Sequence, residues 1–465
     1  MAALSSVWGK DVYVSSSSGS DTNDGSIKSP LRSIAAAPKK DASVFLKRGD
    51  VFFEAVLGFE NCTFDAYGDG AKPLVCGLKI VRSEDSWIRL PNDIWRIDLL
   101  KHKDFDGKFA DGKTNNIGAV YDIKRDKIYG HLVKRYNDLN ALGDFWVAGS
   151  VEAVNVQDKG ETFQYLYFKS KENPSKDANI AFVTSGFGVR EVRNCTVKNI
   201  AIKGFGIHGI CMAWNCVFDN IDIDLIGGSV QLSYKHWVRL GNGVEFWITA
   251  GKECNDNTVK NCKISRTYDC GTTIQGISKK STKAVNIKFV NNTFYRCRQA
   301  FEHFIRSTDG TTGYENCEFS GNRAFEMGEN EYSTPETRDA DLLSYESNPI
   351  EGGLLLKDNV FWGASVYFAY NSYTAKMLNN TFYVFKDQYL FFTRRYPEKV
   401  IWAKTDADIA KFKETFGKDA GNIILVDRND KQARQNFIEK YFSAHREAIK
   451  AKAEEPYRRD FFYRK

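Results

Sequence analysis

The sequence predicts an all-β chain wound as a parallel β-helix, a solenoid with an inserted β-rich segment and a helical C-terminal extension. Two observations predict it. A six-residue motif recurs as an apolar residue, any residue, Asn, a variable position, any residue and Ile or Phe. Around each copy apolar and polar side chains alternate, which is the periodicity of β-strands. The copies contain Asn61, Asn199, Asn220, Asn261, Asn291, Asn316, Asp358 and Asn379.

The spacing of the motif limits the architecture. From Asn199 onward the copies advance by 21, 41, 30, 25, 42 and 21 residues, which we interpret as one or two units of roughly 21 residues, some with a loop. One such unit fits a coil of a parallel β-helix, whose neighbours stack about 4.8 Å apart. Asparagine suits the corners because it tolerates left-handed backbone angles. We expect rows of small side chains at these corners, formed by Cys62, Cys262 and Cys317 and by Asn292, Asn359 and Asn380.

The other segments are assigned from their local patterns. The N-terminal part holds short strand-like runs around a polar loop, and the next part lacks the asparagine register but keeps strand-like runs. Apolar residues three and four apart over 406–416 and 430–452 predict helices near the C-terminus. We therefore predict an N-terminal cap with the first coils at 1–84, a β-rich insertion at 85–180, a central β-helix that carries the site at 181–403 and a helical extension at 404–465.

Composition and motifs exclude several classes of function. The 465 residues carry a net charge of +6 and include no run of about 18 apolar residues, so we expect no membrane-spanning helix. Basic residues are scattered rather than clustered, which argues against a nucleic-acid partner. Phosphate-binding loops, serine-hydrolase elbows and zinc-binding spacings are absent from the sequence. We expect no cofactor and no metal, and the sequence does not predict an oligomeric state.

Several segments are similar to one group of proteins. They are Gly19-Ser-Asp-Thr-Asn-Asp-Gly25, Gly143-Asp-Phe-Trp146, Gly241-Asn-Gly-Val-Glu-Phe-Trp247, Tyr268-Asp-Cys-Gly-Thr-Thr-Ile-Gln275 and Ala300-Phe-Glu-His-Phe304. Together they resemble the right-handed parallel β-helix carbohydrate-active enzymes, both the β-helix glycoside hydrolases and the wider pectate-lyase-like superfamily. The resemblance covers roughly residues 10–400. It implies a right-handed helix, action on a polysaccharide and a secreted or periplasmic location, with the export signal outside this sequence.

Three acidic residues, Glu245, Asp269 and Glu302, stand out in the central coils. Glu245, Gln275 and Glu302 occupy similar places, 16, 16 and 14 residues before the next asparagine corner. If they belong to one strand in three successive coils, their side chains point outward as a ladder and the residue before each points inward. Asp269 lies just before the middle strand, so its side chain could project between the two glutamates.

A pair of carboxyl groups is what cleavage of a glycosidic bond requires. One is protonated and assists the leaving oxygen, while the other is ionised and acts as base or nucleophile. Glu245 and Glu302 would lie two strands, or about 9.6 Å, apart at the backbone. That spacing suits inversion, whereas either residue paired with Asp269 could give the roughly 5–5.5 Å of retaining enzymes. We therefore predict Glu245, Asp269 and Glu302 as catalytic residues and leave the stereochemical outcome open.

Aromatic and polar side chains near these acids are candidate substrate-binding residues. Aromatic faces stack on sugar rings, and imidazole and amide groups bond to hydroxyls. The candidates are His208, Trp237, Arg239, Trp247, Tyr268, Gln275 and His303. The expected partner is a polysaccharide or oligosaccharide, which favours a glycoside hydrolase that acts on a bacterial or plant glycan.

Two other classes of function stay open. A polysaccharide lyase acting by β-elimination on a uronic-acid polymer needs a base and a group that neutralises the carboxylate. His208, His236, Arg239 and Lys252 could supply these groups. A non-catalytic glycan-binding β-helix would instead carry aromatic residues in its groove without converging acids.

Overall fold

The computed structural model describes residues 9–99, 117–133, 135–148, 164–177, 179–231, 238–328, 331–332, 342–344, 350–351, 353–363, 367–369, 375–392 and 400–443. The chain divides into two compact units. The first consists of Met1–Glu245, Ser265–Asp269 and Glu331–Pro335, and the second of Phe246–Ile264, Cys270–Asn330 and Glu336–Lys465. In the described part of the chain no helix has the length and apolar character needed to cross a membrane.

The first unit is built of short strands. In chain order they are β1 (Lys10–Val14), β2 (Ala42–Lys47), β3 (Val51–Phe52), β4 (Val56–Leu57), β5 (Thr63–Tyr67), β6 (Leu74–Cys76), β7 (Leu78–Lys79), β8 (Ile88–Leu90), β9 (Ile94–Asp98), β10 (Ile117–Asp122), β11 (Lys127–Ile128), β12 (Phe145–Ala148), β13 (Tyr165–Lys169), β14 (Ile180–Thr184), β15 (Phe187–Arg193), β16 (Thr196–Lys198), β17 (Ala201–Lys203), β18 (His208–Trp214), β19 (Val217–Asp219), β20 (Asp222–Ile226), β21 (Val230–Gln231), β22 (Val238–Arg239) and β23 (Val244–Trp247).

Most of these strands belong to three parallel sheets, to which successive coils contribute one strand each. The strand orders are β1-β2-β5-β16-β19, β3-β6-β17-β20 and β4-β15-β18-β23. The pairing within these sheets is parallel, as between β2 and β5 or β15 and β18. The unit is therefore a right-handed parallel β-helix, the fold that the sequence predicts and the hand that parallel crossovers adopt.

Two antiparallel sheets interrupt these coils. Their strand orders are β11-β10-β14-β7 and β12-β13-β9-β8. Apolar side chains of these strands form a separate core in which Trp146, Tyr167 and Phe168 are fully buried. The ring centroids of Trp146 and Tyr167 lie 5.3 Å apart. This is the β-rich excursion that the sequence predicts, and it forms because long aromatic strands outside the asparagine register need a core of their own.

The second unit contains the strands from β24 to β43 and two helices, except that residues 265–267 of β25 belong to the first unit and residues 246–247 of β23 belong to the second. The strands are β24 (Thr258–Lys260), β25 (Lys263–Thr267), β26 (Cys270–Ser278), β27 (Thr282–Val285), β28 (Lys288–Val290), β29 (Thr293–Tyr295), β30 (Gln299–Ser307), β31 (Thr312–Glu315), β32 (Cys317–Ser320), β33 (Arg323–Phe325), β34 (Leu342–Ser344), β35 (Ile350–Glu351), β36 (Leu354–Lys357), β37 (Val360–Trp362), β38 (Tyr367–Ala369), β39 (Ala375–Leu378), β40 (Asn380–Phe385), β41 (Tyr389–Phe392), β42 (Ile401–Trp402) and β43 (Gly421–Val426). The helices are α1 (Asp406–Phe416) and α2 (Lys431–Tyr441).

The strands of the second unit again stack as parallel coils. The orders are β24-β28-β32-β36-β39, β29-β33-β37-β40-β43, β26-β30-β34-β38-β41 and β27-β31-β35, with β42 added antiparallel to β41. Between them the apolar faces close on an aromatic interior, in which the rings of Phe301 and Phe319 stack at 4.7 Å. The nine-residue strands β26 and β30 make these coils longer than those of the first unit.

Asparagine recurs at two different corners of the coils rather than at one. In the first unit Asn194 donates to Asn61 and Asn215 to Asn194, while Asn220 donates to Asn199 at a different corner. All five have φ between 52° and 61°, the left-handed region that asparagine tolerates. The motif copies therefore mix two corners, which explains their irregular spacing.

The expected row of Cys62, Cys262 and Cys317 is consequently wrong. The Cys262 N–H donates to the side chain of Asn292, so Cys262 lies in the row of Asn292. Cys317 follows Asn316 at the other corner, where Asn316 donates to Asn286. The two corners share the same local sequence pattern, and only the stacking distinguishes them.

The expected row of interior asparagines is present. The side-chain amides of Asn292, Asn322 and Asn359 donate in turn to Asn322, Asn359 and Asn380 at 3.1, 3.1 and 2.9 Å. All four side chains are buried, with at most 1% exposed. Consecutive members lie 30, 37 and 21 residues apart in sequence, so coil length in this unit varies around a fixed row.

The C-terminal helices pack on coils of the second unit. Helix α1 spans the predicted 406–416, whereas α2 ends at Tyr441, and the rest of the predicted helix to residue 452 lies outside the described residues apart from Phe442 and Ser443. Strand β43 between the helices was not predicted. Phe437 of α2 stacks on Trp362 at 4.9 Å. Buried Glu326 binds Arg296 at 3.0 Å and also pairs with Arg434 of α2, which attaches the helix by charge as well as by apolar contact.

Candidate active site

Glu245 lies on β23 of the first unit, opposite Cys211 of β18. Its carboxylate accepts a hydrogen bond from the side-chain amide of Asn242 at 3.0 Å. The same oxygen, Oε2, lies 3.4 Å from Nε2 of His208. Two neighbouring coils thus hold one carboxylate oxygen, and only 13% of the Glu245 side chain is exposed.

His208 begins β18 and is almost completely buried. Its Nδ1 accepts a hydrogen bond from the backbone N–H of Asn242 at 3.2 Å. A neutral imidazole carries one proton, so this bond places the proton on Nε2, which faces Glu245. The next residue must be glycine, because a Cβ at Gly209 would lie 2.5 Å from the carbonyl oxygen of Gly243. The predicted His208 and Glu245 are therefore brought together.

Glu302 lies on β30 of the second unit and is only 5% exposed. Its Oε2 lies 3.4 Å from the thiol of Cys270, which can donate its one proton either to Glu302 or to Oε1 of Gln299 at 2.9 Å. The side chain occupies the face opposite Phe301 and His303, because alternate residues of a strand point to opposite sides. A buried carboxyl group is thus bordered by a thiol and an amide.

The expected ladder of Gln275 and Glu302 is wrong by two residues. Glu302 pairs with Thr273 across β26 and β30, and Gln275 pairs with Phe304. The sequence spacing places Glu302 relative to the corner at Asn316 and Gln275 relative to the corner at Asn291. Asn316 stacks on Asn286 and not on Asn291, so the two spacings refer to different corners. Gln275 instead accepts a hydrogen bond from Thr273 at 3.3 Å.

Asp269 lies in the first unit and is partly exposed. Its backbone N–H donates to the carbonyl of Gly241 at 3.1 Å, and its carbonyl accepts from the Thr267 hydroxyl at 2.8 Å. The backbone of Asp269 is therefore fixed next to the segment that contains Asn242. In the sequence Asp269 directly precedes Cys270.

His303 is an interior residue, not a groove residue. It is completely buried, and its ring stacks on Phe301 at 5.5 Å and meets Tyr314 edge-on at 5.9 Å. Burial lowers the pKa of His303 to about 3, so the ring is neutral at physiological pH. The interior position excludes direct contact with a glycan on the outer face, which corrects the predicted binding role.

Arg239 and Tyr268 are also structural rather than exposed. The Arg239 guanidinium donates to the carbonyls of Gly228 at 2.7 Å and Gly118 at 2.8 Å and lies over the Tyr268 ring at 4.3 Å. Both side chains are at most 6% exposed. Their predicted binding roles are corrected accordingly, because a guanidinium committed to buried carbonyls is not available to a ligand.

The remaining predicted binding residues give less information. Trp247 is partly exposed at the end of β23. Trp237, and with it His236, lies outside the described residues. Sequence reasoning missed Asn242 and Cys270, which contact the acids directly, and Gln299, which contacts Cys270. The signals were the Asn between two glycines before Glu245, and the pairing of Cys270 with Gln299 across neighbouring strands.

Of the side chains in contact around Glu302, Cys270 and Glu302 are of the types that transition metals bind. A protonated Cys270 thiol can donate to Gln299 or to Glu302, whereas a metal-bound cysteine is deprotonated. The arrangement is therefore suited to holding a proton near the carboxyl group.

No protein-family model matches the chain, and no curated protein matches it. Among solved structures it is similar to XylC in complex with xylose, at 12% identity and a TM-score of 0.47, over 89% of this chain and 82% of the other. It is similar to a GH136 lacto-N-biosidase from Eubacterium ramulus at 14% identity and a TM-score of 0.36, over 90% and 67%. It is similar to pectate lyase Pel9A at 12% identity and a TM-score of 0.36, over 82% and 70%. These neighbours include glycoside hydrolases and a pectate lyase, the two kinds of enzyme that the sequence resembles.

Proposed function

We propose that the protein is a glycoside hydrolase that cleaves a glycosidic bond in a polysaccharide or oligosaccharide, with Glu245, Asp269 and Glu302 as its catalytic carboxyl groups. The observation that carries the proposal is the pair of contrasting surroundings of the two glutamates. Glu302 is buried against a thiol donor, whereas Glu245 accepts from an amide and faces an imidazole N–H. Carboxyl groups in unlike environments are what acid and base roles require.

Glu302 is the proposed general acid. Only 5% of the residue is exposed, and burial in general disfavours the charged form of a carboxyl group. A protonated Glu302 would donate to the glycosidic oxygen as the bond to the anomeric carbon breaks. The Cys270 thiol, which contacts Oε2, would orient the group for that transfer.

Glu245 or Asp269 is the proposed base or nucleophile. Hydrogen bonds to a carboxylate favour its ionised form, and Glu245 is engaged by Asn242 on an oxygen that also faces His208. An ionised carboxylate would either activate water or attack the anomeric carbon. The anomer released by the enzyme distinguishes these two routes.

The test is product analysis with neutral and uronic-acid polysaccharides, by mass spectrometry and ultraviolet absorbance. We expect products that have gained one water, and we expect Glu302→Gln and Glu245→Gln to lower kcat by about 100-fold or more, since general acid–base groups contribute about 10²–10⁴-fold. Asp269→Asn identifies whether the third carboxyl group takes part. Glu315→Gln and Asp309→Asn, at exposed positions, are the matched controls.

Other products would point to the other classes. Unsaturated products without added water would replace hydrolysis by β-elimination. Full activity of all three acid variants, with hydrolysis retained, would remove these residues from the mechanism. Binding of a glycan without any cleavage would indicate a non-catalytic binding protein.

A further inference from the structure

A row of side chains crosses the face of the first unit beside Glu245. Leu57, Arg190, Cys211 and Glu245 are successive Cα partners on β4, β15, β18 and β23. Neighbouring strands lie about 4.8 Å apart, so the backbones of Arg190 and Glu245 are about 9.6 Å apart. Arg190 is thus two strands from the candidate catalytic carboxylate on the same face.

A series of side-chain contacts connects Arg190 to Glu245. The Arg190 guanidinium lies over the ring of Phe187 at 4.5 Å. That ring lies 6.0 Å from the ring of His208, its partner on the next strand. His208 in turn faces Glu245 at 3.4 Å. The four side chains form one connected row, in which Arg190 is partly exposed and His208 is buried.

The guanidinium of Arg190 is only weakly committed within the protein. Its ion pair with Glu191, at 3.0 Å, joins side chains that are 33% and 46% exposed. Ion pairs of this kind contribute little and are screened by salt. The Nε atom of Arg190 has no hydrogen-bond partner among the described residues. This contrasts with Arg239, whose guanidinium is fixed by buried carbonyls.

A second stacked arginine lies three residues further along β15. Arg193 lies over the ring of Trp214, its partner on β18, at 3.7 Å. Two guanidiniums on aromatic rings therefore stand on one strand. An arginine is always charged, and its planar fork matches carboxylate and sulfate groups. Phe187 and Arg190 therefore place an aromatic ring and a positive group for an anionic substituent side by side.

We propose that Phe187 and Arg190 form a substrate subsite beside Glu245 that binds a sugar unit bearing an anionic group, either a uronate carboxylate or a sulfate ester. The proposal rests on the proposed function, because it takes Glu245 as the reaction centre from which the subsite is counted. It defines the substrate class as an acidic glycan. Phe187 contacts the apolar face of the sugar, and the Arg190 guanidinium pairs with the anion.

The test is calorimetric binding to the full chain carrying Glu302→Gln, which limits turnover. The probes are a galacturonic-acid tetramer, a sulfated neutral tetramer and the same neutral tetramer without sulfate. We expect an acidic probe to bind at least tenfold more tightly than the neutral one, with an affinity that falls as salt rises. The preferred acidic probe distinguishes a carboxylate subsite from a sulfate subsite.

Arg190→Gln should weaken binding of the acidic probe by about tenfold or more and leave the neutral probe unchanged. Arg190→Lys should retain part of the preference, and Arg32→Gln, at an exposed position, should retain all of it. Equal binding by the Arg190→Gln variant, equal binding of acidic and neutral probes, or no binding of any probe would overturn the subsite. Arg190-dependent binding of an acidic glycan that wild type never cleaves would instead overturn the hydrolase proposal alone.

Discussion

The Nε2 atom of His208 lies 3.4 Å from Oε2 of Glu245, while its Nδ1 accepts from the backbone N–H of Asn242. The ring therefore presents a proton donor to the carboxylate and has no free lone pair to act as a base towards it. This arrangement assigns His208 the task of orienting Glu245 within the proposed site.

Removal of the imidazole donor should reduce activity without unfolding the protein. We expect His208→Phe to lower kcat/KM by about tenfold or more, because a hydrogen bond to a charged group contributes about 1.5–3 kcal/mol. His208→Gln, which keeps an N–H donor, should recover part of the loss. Steady-state kinetics and thermal melting measure the two effects. Equal losses in both variants would exclude orientation through the donor.

The buried imidazole of His303 should make the protein sensitive to acid. Its pKa in the folded protein is about 3, below the usual value of 6.5 for histidine, so protons bind the unfolded chain first. The stability from burying the neutral ring is fully present above pH 6.5 and is lost as the pH falls towards about 3. The free energy of unfolding should fall by up to about 1.4 kcal/mol per pH unit in this window.

Urea unfolding at pH 7, 6, 5 and 4 measures that slope for His303. His303→Gln should flatten the slope, whereas His131→Gln, at an exposed position, should leave it unchanged. The same slope in wild type and His303→Gln would show that other groups cause the acid sensitivity.

Loss of one interior asparagine should destabilise the second unit. The Asn359 amide donates to the Phe319 carbonyl and to Asn380, and its oxygen accepts from Asn322. Asn359→Ala leaves several buried groups unsatisfied, at about 1–3 kcal/mol each. We expect the free energy of unfolding to fall by about 3 kcal/mol or more in urea titrations. Asn422→Ala, at an exposed position, is the control and should change it by less than about 0.5 kcal/mol.

The attachment of α2 should depend on Glu326. Glu326→Gln removes the charge that Arg296 and Arg434 share, and breaking a buried ion pair costs about 3–5 kcal/mol. Hydrogen exchange of the α2 amides should accelerate in this variant. Glu439→Gln, on the exposed side of α2, should leave the exchange unchanged. Unaltered exchange in Glu326→Gln would show that apolar packing alone holds the helix.

The β-helix could be predicted from sequence because its corners impose a residue type. A left-handed backbone at Asn199, Asn220 and Asn261 admits few side chains, so the corners remain visible as a motif. The register could not be predicted, since both corners of a coil carry the same pattern. Because of that ambiguity, the predicted alignment of Gln275 with Glu302 differs from the observed pairing by two residues.

The candidate site could be predicted only at the level of its acids. The neighbourhood of Glu245 was visible because Gly206-Ile-His-Gly and Gly241-Asn-Gly are unusual within strands. The burial of His303 could not be predicted, because strand alternation shows which side chains share a face but not which face points inward. Arg239 and Tyr268 were misplaced for a similar reason: their partners come from carbonyls distant in sequence.

The row of interior asparagines allows the length of a coil to vary while the spacing between neighbouring coils stays constant. Its members are bonded at a constant spacing although the chain between them varies from 21 to 37 residues. Segments can therefore be lengthened or exchanged on the outside of a coil while the amide at its corner still meets the next one. The architecture permits the outer rim to diversify by insertion while the scaffold beneath it keeps its geometry.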